Sequence, residues 1–119
     1  MRLAAKKDDN HNEIVATFRA LGCGWEDTYQ LGGGFPDGLA EINQLWVLVE
    51  IKDGAKPPSA RKLTPDEADF YSRARAPVVI IETVDDVIRL VNSVRRGTFD
   101  VAAERLRYAE HKVVSKARV

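Results

Sequence analysis

The stretch Gly34-Phe35-Pro36-Asp37-Gly38-Leu39-Ala40-Glu41-Ile42-Asn43-Gln44-Leu45-Trp46-Val47-Leu48-Val49-Glu50-Ile51-Lys52 decides how this chain folds. Phe35 to Ile42 reads as a strand and Leu45 to Lys52 as a stronger one, with Asn43 and Gln44 as the turn between them. That turn lacks the glycine two-residue hairpins prefer. A two-residue turn pairs Ile42 with Leu45, Leu39 with Leu48, and Asp37 with Glu50. Directly opposed residues point to one face, their Cβ atoms roughly 4.5–5.5 Å apart. Lys52 lies two residues beyond Glu50 and shares that face. Leu45, Val47, Val49 and Ile51 make the opposite face uniformly apolar. A slip of one residue would send the two acids to different sides of the sheet, so the register carries the reading.

Two carboxylates and an ammonium thus converge at one end of a hairpin. Like charges set opposite each other destabilise a sheet, and Lys52 compensates only in part. A divalent cation does so better, and hard oxygen ligands suit Mg²⁺ or Mn²⁺. Mg²⁺ takes one or two carboxylates and leaves its other positions to water and phosphate oxygens, a count that Asp37 and Glu50 meet. The carbonyl of Ile51, between Glu50 and Lys52, is a further candidate ligand. Such an ion polarises a phosphate and acidifies a bound water. Lys52 is placed to orient that water or to stabilise charge in the transition state. Singly, a strand-end Glu and Lys make a solvated ion pair worth little, and Pro-Asp is a common turn. Their matched positions on one hairpin favour the catalytic reading.

Working outward, Asp8, Asp9 and Asn10 offer N-caps for a helix whose apolar stripe is Ile14, Val15, Phe18 and Leu21, with Glu13 at its border. Gly22 and Gly24 stop it. Trp25 to Leu31 reads as an edge strand, with Trp25, Tyr29 and Leu31 on one side, broken by Gly32-Gly33-Gly34. No Gly-Lys-Ser/Thr follows these glycines, so they form no phosphate-binding loop; close backbone approach or mobility beside the site is expected. After the polar loop from Asp53 to Leu63, Thr64-Pro65-Asp66-Glu67 opens a helix with a capping box. Pro77 to Glu82 holds the apolar run Val78-Val79-Ile80-Ile81, fit for an interior strand. Thr83 caps a helix carrying Val84, Val87, Ile88 and Val91, ended by Gly97. Thr98 is the candidate cap of a last helix bearing Phe99, Ala102, Leu106 and Tyr108. The expected architecture is a mixed α/β sheet flanked by helices, with an appended C-terminal helix.

The chain has 119 residues, one domain's worth, with 45% apolar and 30% charged residues and a formal net charge of zero. Global charge therefore does not identify a polyanionic partner, and any nucleic-acid surface must come from local clustering of Lys and Arg. Cys23 is the only cysteine, which excludes an intrachain disulfide and a cysteine-rich zinc site and leaves a buried small hydrophobe. Arg2, Lys6 and Lys7 are followed by acids rather than an apolar run, so no signal peptide is read. No stretch suits a bilayer span, and a cytoplasmic location is expected.

Phe35-Pro36-Asp37 followed by Val49-Glu50-Ile51-Lys52 resembles the PD-(D/E)XK nuclease signature. More narrowly, Gly34-Phe35-Pro36-Asp37, Glu50-Ile51-Lys52-Asp53-Gly54, Lys56-Pro57-Pro58 and Lys62-Leu63-Thr64-Pro65 look like the virus-type replication-repair nuclease branch (VRR-NUC), in its small stand-alone form common in phages and prophages of bacterial hosts. The likeness covers residues 1–97 and leaves 98–119 as a helical extension. It implies a restriction-endonuclease-like fold that hydrolyses DNA phosphodiesters with Mg²⁺ or Mn²⁺. Asp37 and Glu50 would be metal ligands and Lys52 the catalytic lysine. Glu13 would match the acidic residue that relatives add from the first helix; its plain reading is a solvated helix-surface Glu. Relatives often carry Gln where this chain has Glu67. The small stand-alone members are similar to Holliday-junction resolvases and tend to be homodimers, which implies a branched-DNA substrate. A general nickase or DNase, and a non-catalytic DNA- or partner-binding module, are the rival readings.

Lys56, Arg61 and Lys62 make the loop after the catalytic strand basic and candidate DNA-backbone contacts. Pro57 and Pro58 stiffen it. His11 and His111 lack metal-ligand spacing and read as surface residues. The basic tail, with Arg105, Arg107, Lys112, Lys116 and Arg118, suits DNA or a dimer as well as a fraying helix end.

Overall fold

The computed structural model describes residues 7–111, and of residues 108–110 the backbone alone. Arg2, Lys6, the tail residues Lys112, Lys116 and Arg118, and the side chain of Tyr108 lie outside the described residues. In chain order the elements are α1 (His11–Ala20), β1 (Gly24–Asp27), a 3₁₀ turn (Tyr29–Leu31), β2 (Gly38–Ile42), β3 (Leu45–Ile51), a second 3₁₀ turn (Pro58–Ala60), α2 (Pro65–Arg73), β4 (Val78–Ile81), α3 (Val84–Arg95) and α4 (Val101–Glu110). The fold is α/β, a four-stranded mixed sheet flanked by helices.

The hairpin keeps the expected register as far as Gly38 and Val49, and the ladder ends before the expected pairing of Asp37 with Glu50. Ile42 faces Leu45, Leu39 faces Leu48 and Gly38 faces Val49. Asn43 and Gln44 both have positive φ, 51° and 68°, as the favoured two-residue turn requires. Asn tolerates this region; Gln44 adopts it at some cost, held by the ladder on either side. The expected strand from Phe35 begins only at Gly38, and Asp37, just before it, still donates its N–H to the carbonyl of Val49 at 2.9 Å. β1 is likewise shorter than expected: it stops at Asp27, and Tyr29 to Leu31 coil into a 3₁₀ turn with Leu31 exposed.

The sheet order is β1-β2-β3-β4, antiparallel across the first three strands and parallel between β3 and β4. β4 therefore lies at an edge and not in the interior, which corrects the expectation from its apolar run. All four of its residues are nonetheless buried. Val79 and Ile81 join Val47, Val49, Ile51, Ala40, Ile42 and Trp25 beneath α1 and α3, where Ile14, Phe18, Val87, Leu90 and Val91 complete the larger core. Val78 and Ile80 face the other way, against Leu63 and Tyr71, with Leu48, Ala68 and Phe70 packed alongside. Each such side chain contributes roughly 1.5–3 kcal/mol by leaving water.

α4 covers the exposed side of β4. The Tyr71 hydroxyl lies 2.7 Å from the carbonyl of Val78 and 3.2 Å from that of Glu104, which ties the edge strand to both helices. Asp100, not Thr98, caps α4: its Oδ1 accepts from the N–H of Ala102 at 2.9 Å and of Ala103 at 3.3 Å. Thr98 instead bonds back to the carbonyl of Ser93, finishing α3. Thr64 and Glu67 form the expected capping box of α2, and the Thr83 hydroxyl accepts from the Asp86 N–H.

Two glycines allow close approach around the hairpin. Gly34, at φ 87°, abuts the backbone of Asp66 where a Cβ would stand, so the chain entering β2 presses on the first turn of α2. At Gly38 the same space is filled by the indole of Trp25. No helix among the described residues is long and apolar enough to cross a membrane.

Candidate active site

The site forms where β2 and β3 end beside the first turn of α2. Asp37 stands one residue before β2, and its Oδ2 accepts the backbone N–H of Ile51 at 2.7 Å. Glu50, on the face of β3 turned toward α2, is only 5% exposed. The carboxyls of Asp37 and Glu50 lie within each other's electrostatic reach. The Lys52 ammonium sits 3.7 Å from Oε2 of Glu50 and 2.7 Å from Oε1 of Glu67. The structure thus brings together Asp37, Glu50 and Lys52, and adds Glu67.

The electrostatics follow from burial. Loss of water around Glu50, followed by the negative charges of Asp37 and Glu67, drives its pKa well above 4.5. Burial raises that of Asp37 as well, against the pull of the Ile51 N–H and of the Glu50 side chain. For Lys52, burial opposes the charge, but Glu50 and Glu67 outweigh it and hold its pKa above the usual value. Asp8 belongs to this field. Burial raises its pKa against the attraction of Lys52 and Lys56, and its charge acts in turn on Asp37.

Asp8 is therefore the acid that the N-terminal segment brings into the field of the site. Glu13 is exposed on α1 and lines a separate groove with Asn10, Asp53, Glu82 and Asp85. The buried stripe of α1, Ile14, Val15 and Phe18, turns Glu13 outward. Asn10 makes no capping bond to α1. Its Nδ2 donates to the carbonyls of Lys52 at 3.1 Å and Glu82 at 3.0 Å, strapping the helix start across the ends of the parallel strands β3 and β4.

Among the loop cations, Lys62 and Lys56 are exposed, the latter 3.7 Å from Oδ2 of Asp9. Arg61 is committed internally: Nη1 donates to Oε2 of Glu82 at 3.0 Å and Nε to the carbonyl of Lys56 at 2.7 Å. Both histidines are buried rather than at the surface. Nε2 of His11 meets Oδ1 of Asp27 at 2.9 Å, and the Trp25 indole donates to that same oxygen at 2.7 Å. Nε2 of His111 meets Oε2 of Glu82 at 2.8 Å, joining α4 to the end of β4 and, through Arg61, to the basic loop. Cys23 is buried as expected, and burial pushes its thiol pKa up.

A divalent cation fits this donor set on charge. The carboxylates of Glu50 and Glu67 flank a single ammonium, that of Asp37 acts on Glu50, and the most buried of the three is held above its ordinary pKa. Among the described residues, no three Asp, Glu, His or Cys side chains are arranged to grip an ion by themselves. A cation here would rest on Asp37 and Glu50, with water and a bound phosphate completing its shell. Together the sheet and the site define a small α/β domain with an acid–lysine centre. No family model matches the chain, and neither a curated protein nor a solved structure matches it.

Proposed function

We propose that this protein is a divalent-metal-dependent endonuclease of restriction-endonuclease-like fold that hydrolyses phosphodiesters in DNA, branched DNA being the preferred substrate. One observation supports this above all others. The buried carboxyl of Glu50 and the carboxyl of Asp37 meet at one end of the hairpin, with the Lys52 ammonium alongside. A solvated surface ion pair would not bury an acid at energetic cost.

Asp37 and Glu50 would hold Mg²⁺ or Mn²⁺, and the backbone carbonyl of Ile51 is a further candidate ligand. When bound, the ion supplies Lewis-acid polarisation of the phosphate and a more acidic water. The Ile51 N–H restrains the rotation of the Asp37 carboxylate by holding Oδ2, which leaves Oδ1 to meet a cation. Lys52 carries a positive charge held beside Glu50, where it stabilises negative charge developing on phosphoryl oxygens. Lys56 and Lys62 are the exposed contacts for the DNA backbone, while Arg61 braces their loop against Glu82. Asp8 adds negative charge to the field of Lys52 and Lys56. A homodimer would let each subunit cut one strand of a branch.

The test is cleavage of a labelled four-way junction beside linear duplex, with Mg²⁺, with Mn²⁺ and with chelator. Metal-dependent cutting that favours the junction is expected. Equal rates on both substrates would replace the junction preference with a general nickase or DNase. DNA binding without cutting under any divalent ion would leave the non-catalytic module. Sedimentation of the free protein reads the dimer.

A further inference from the structure

Glu67 reaches Lys52 from the first turn of α2, and the nuclease reading alone gives it no part. Its oxygen Oε1 does two things at once. It accepts the Thr64 N–H at 2.9 Å, closing the capping box of α2, and it accepts the Lys52 ammonium at 2.7 Å. The other leg of the box, from the Glu67 N–H to the Thr64 hydroxyl, is 3.2 Å and leaves Lys52 untouched. Lys52 otherwise meets only the longer 3.7 Å contact with Glu50 among its described ion pairs. A lysine has a flexible four-carbon stem with high rotamer entropy, and the short bond is what holds its head in place. Gly34 presses on the backbone of Asp66 and Glu67, so the first turn of α2 is itself fixed against the chain leading into Asp37.

We infer that Glu67 is a positioning residue: it aims the Lys52 ammonium from the capped N-terminus of α2 and links helix capping to the geometry of the reacting centre. The inference rests on the nuclease reading for its effect on rate, but the clamp can be observed without any cutting. The side chain must supply an oxygen at this place; a Gln retains both the cap and the hydrogen bond to Lys52. Small misplacements in such centres cost on the order of 100-fold in rate.

Three variants test it. Glu67→Ala removes cap and clamp together, Thr64→Ala weakens the cap but keeps the clamp, and Glu67→Gln keeps both. Expected are a fall in kcat of roughly 10–100-fold for Glu67→Ala at little-changed KM, near-normal kcat for Thr64→Ala despite a comparable drop in Tm, and recovery of most of the rate in Glu67→Gln. In parallel, a slowly exchanging Lys52 ammonium signal in ¹⁵N NMR is expected in the wild type, Thr64→Ala and Glu67→Gln, and lost in Glu67→Ala. Equal loss of rate in Thr64→Ala and Glu67→Ala would reduce Glu67 to a helix cap and overturn the inference, as would an unchanged Lys52 signal in Glu67→Ala. If the wild type does not cut DNA, the nuclease reading fails while the NMR comparison still decides the clamp.

Discussion

The backbone N–H of Ile51 donates to the carboxylate of Asp37 at 2.7 Å, so the acid that would hold a metal also completes the backbone pairing of β3. The two roles come apart by substitution. Asp37→Asn keeps an oxygen for Ile51 and loses the charge; Asp37→Ala leaves the N–H without that partner. Asp37→Ala is expected to cost about 1–3 kcal/mol in urea denaturation and Asp37→Asn much less. Both should cut DNA at under roughly a hundredth of the wild-type rate while still binding it. Full cleavage by either would remove Asp37 from the active centre.

Glu50 is held in the fold against its own ionisation. Its folded pKa lies well above 4.5, so the folded state holds the proton more tightly than the unfolded chain. Stability from this group is then fully present below pH 4.5 and is lost as pH rises toward the folded value. Glu50→Gln removes that loss. In chelator at pH 8 the variant should be more stable than wild type by about 0.5–2 kcal/mol, with the gain shrinking toward pH 4. Added Mg²⁺ or Mn²⁺ should raise the Tm of the wild type and not of the variant. A wild-type Tm indifferent to saturating metal would count against a cation at Glu50.

The Glu82 cluster has the opposite sign. Burial favours the neutral acid, but the hydrogen bonds from His111 and Arg61 outweigh it and hold the pKa below 4.5. Its contribution is complete above pH 4.5 and disappears as pH falls through the lower folded value. Glu82→Gln should therefore be less stable than wild type by about 1–3 kcal/mol at pH 7, and the two melting curves should converge below pH 4.5. A gap that persists undiminished into strong acid would show that packing, not charge, sets the difference.

Asn10→Ala removes the donor shared by the carbonyls of Lys52 and Glu82. We expect a loss of about 1–3 kcal/mol and faster amide exchange in the first turn of α1 and at the end of β3. Exchange altered only within α1 would mean that the strap carries no load between the strands.

Gly38→Ala drives a methyl into the indole of Trp25. The expected cost is roughly 1–3 kcal/mol of overpacking, read by thermal melting and by the Trp25 fluorescence. Gly33→Ala, which meets no neighbouring atom, controls for generic glycine effects, although its φ of 65° adds some backbone strain.

The local signals in the sequence were the legible ones. A two-residue turn fixed which hairpin residues oppose each other, and the structure keeps that register from Ile42–Leu45 to Gly38–Val49. Thr64 and Glu67 stand three apart, as a capping box demands, and form one. Long-range partnerships left no such mark. Asp8 and Asn10 read as helix caps because that is their local habit, yet their partners lie just past the ends of β3 and β4 or in the loop after β3. His11 and His111 look solitary in the chain, and only folding supplies Asp27 and Glu82. β4 looked interior because hydrophobicity reports burial, not hydrogen-bond neighbours, and here a helix rather than a fifth strand does the burying.

That substitution has a practical consequence for the final segment. α4 seals the flank of β4 through Tyr71 and Glu104, and Arg105 fastens it to the carbonyl of Ala74. A protein trimmed after Gly97 would keep every candidate catalytic group and still lose its seal, leaving β4 with a bare strand margin. Such a fragment would tend to self-associate by strand addition. The appended helix would then act as a stopper against aggregation.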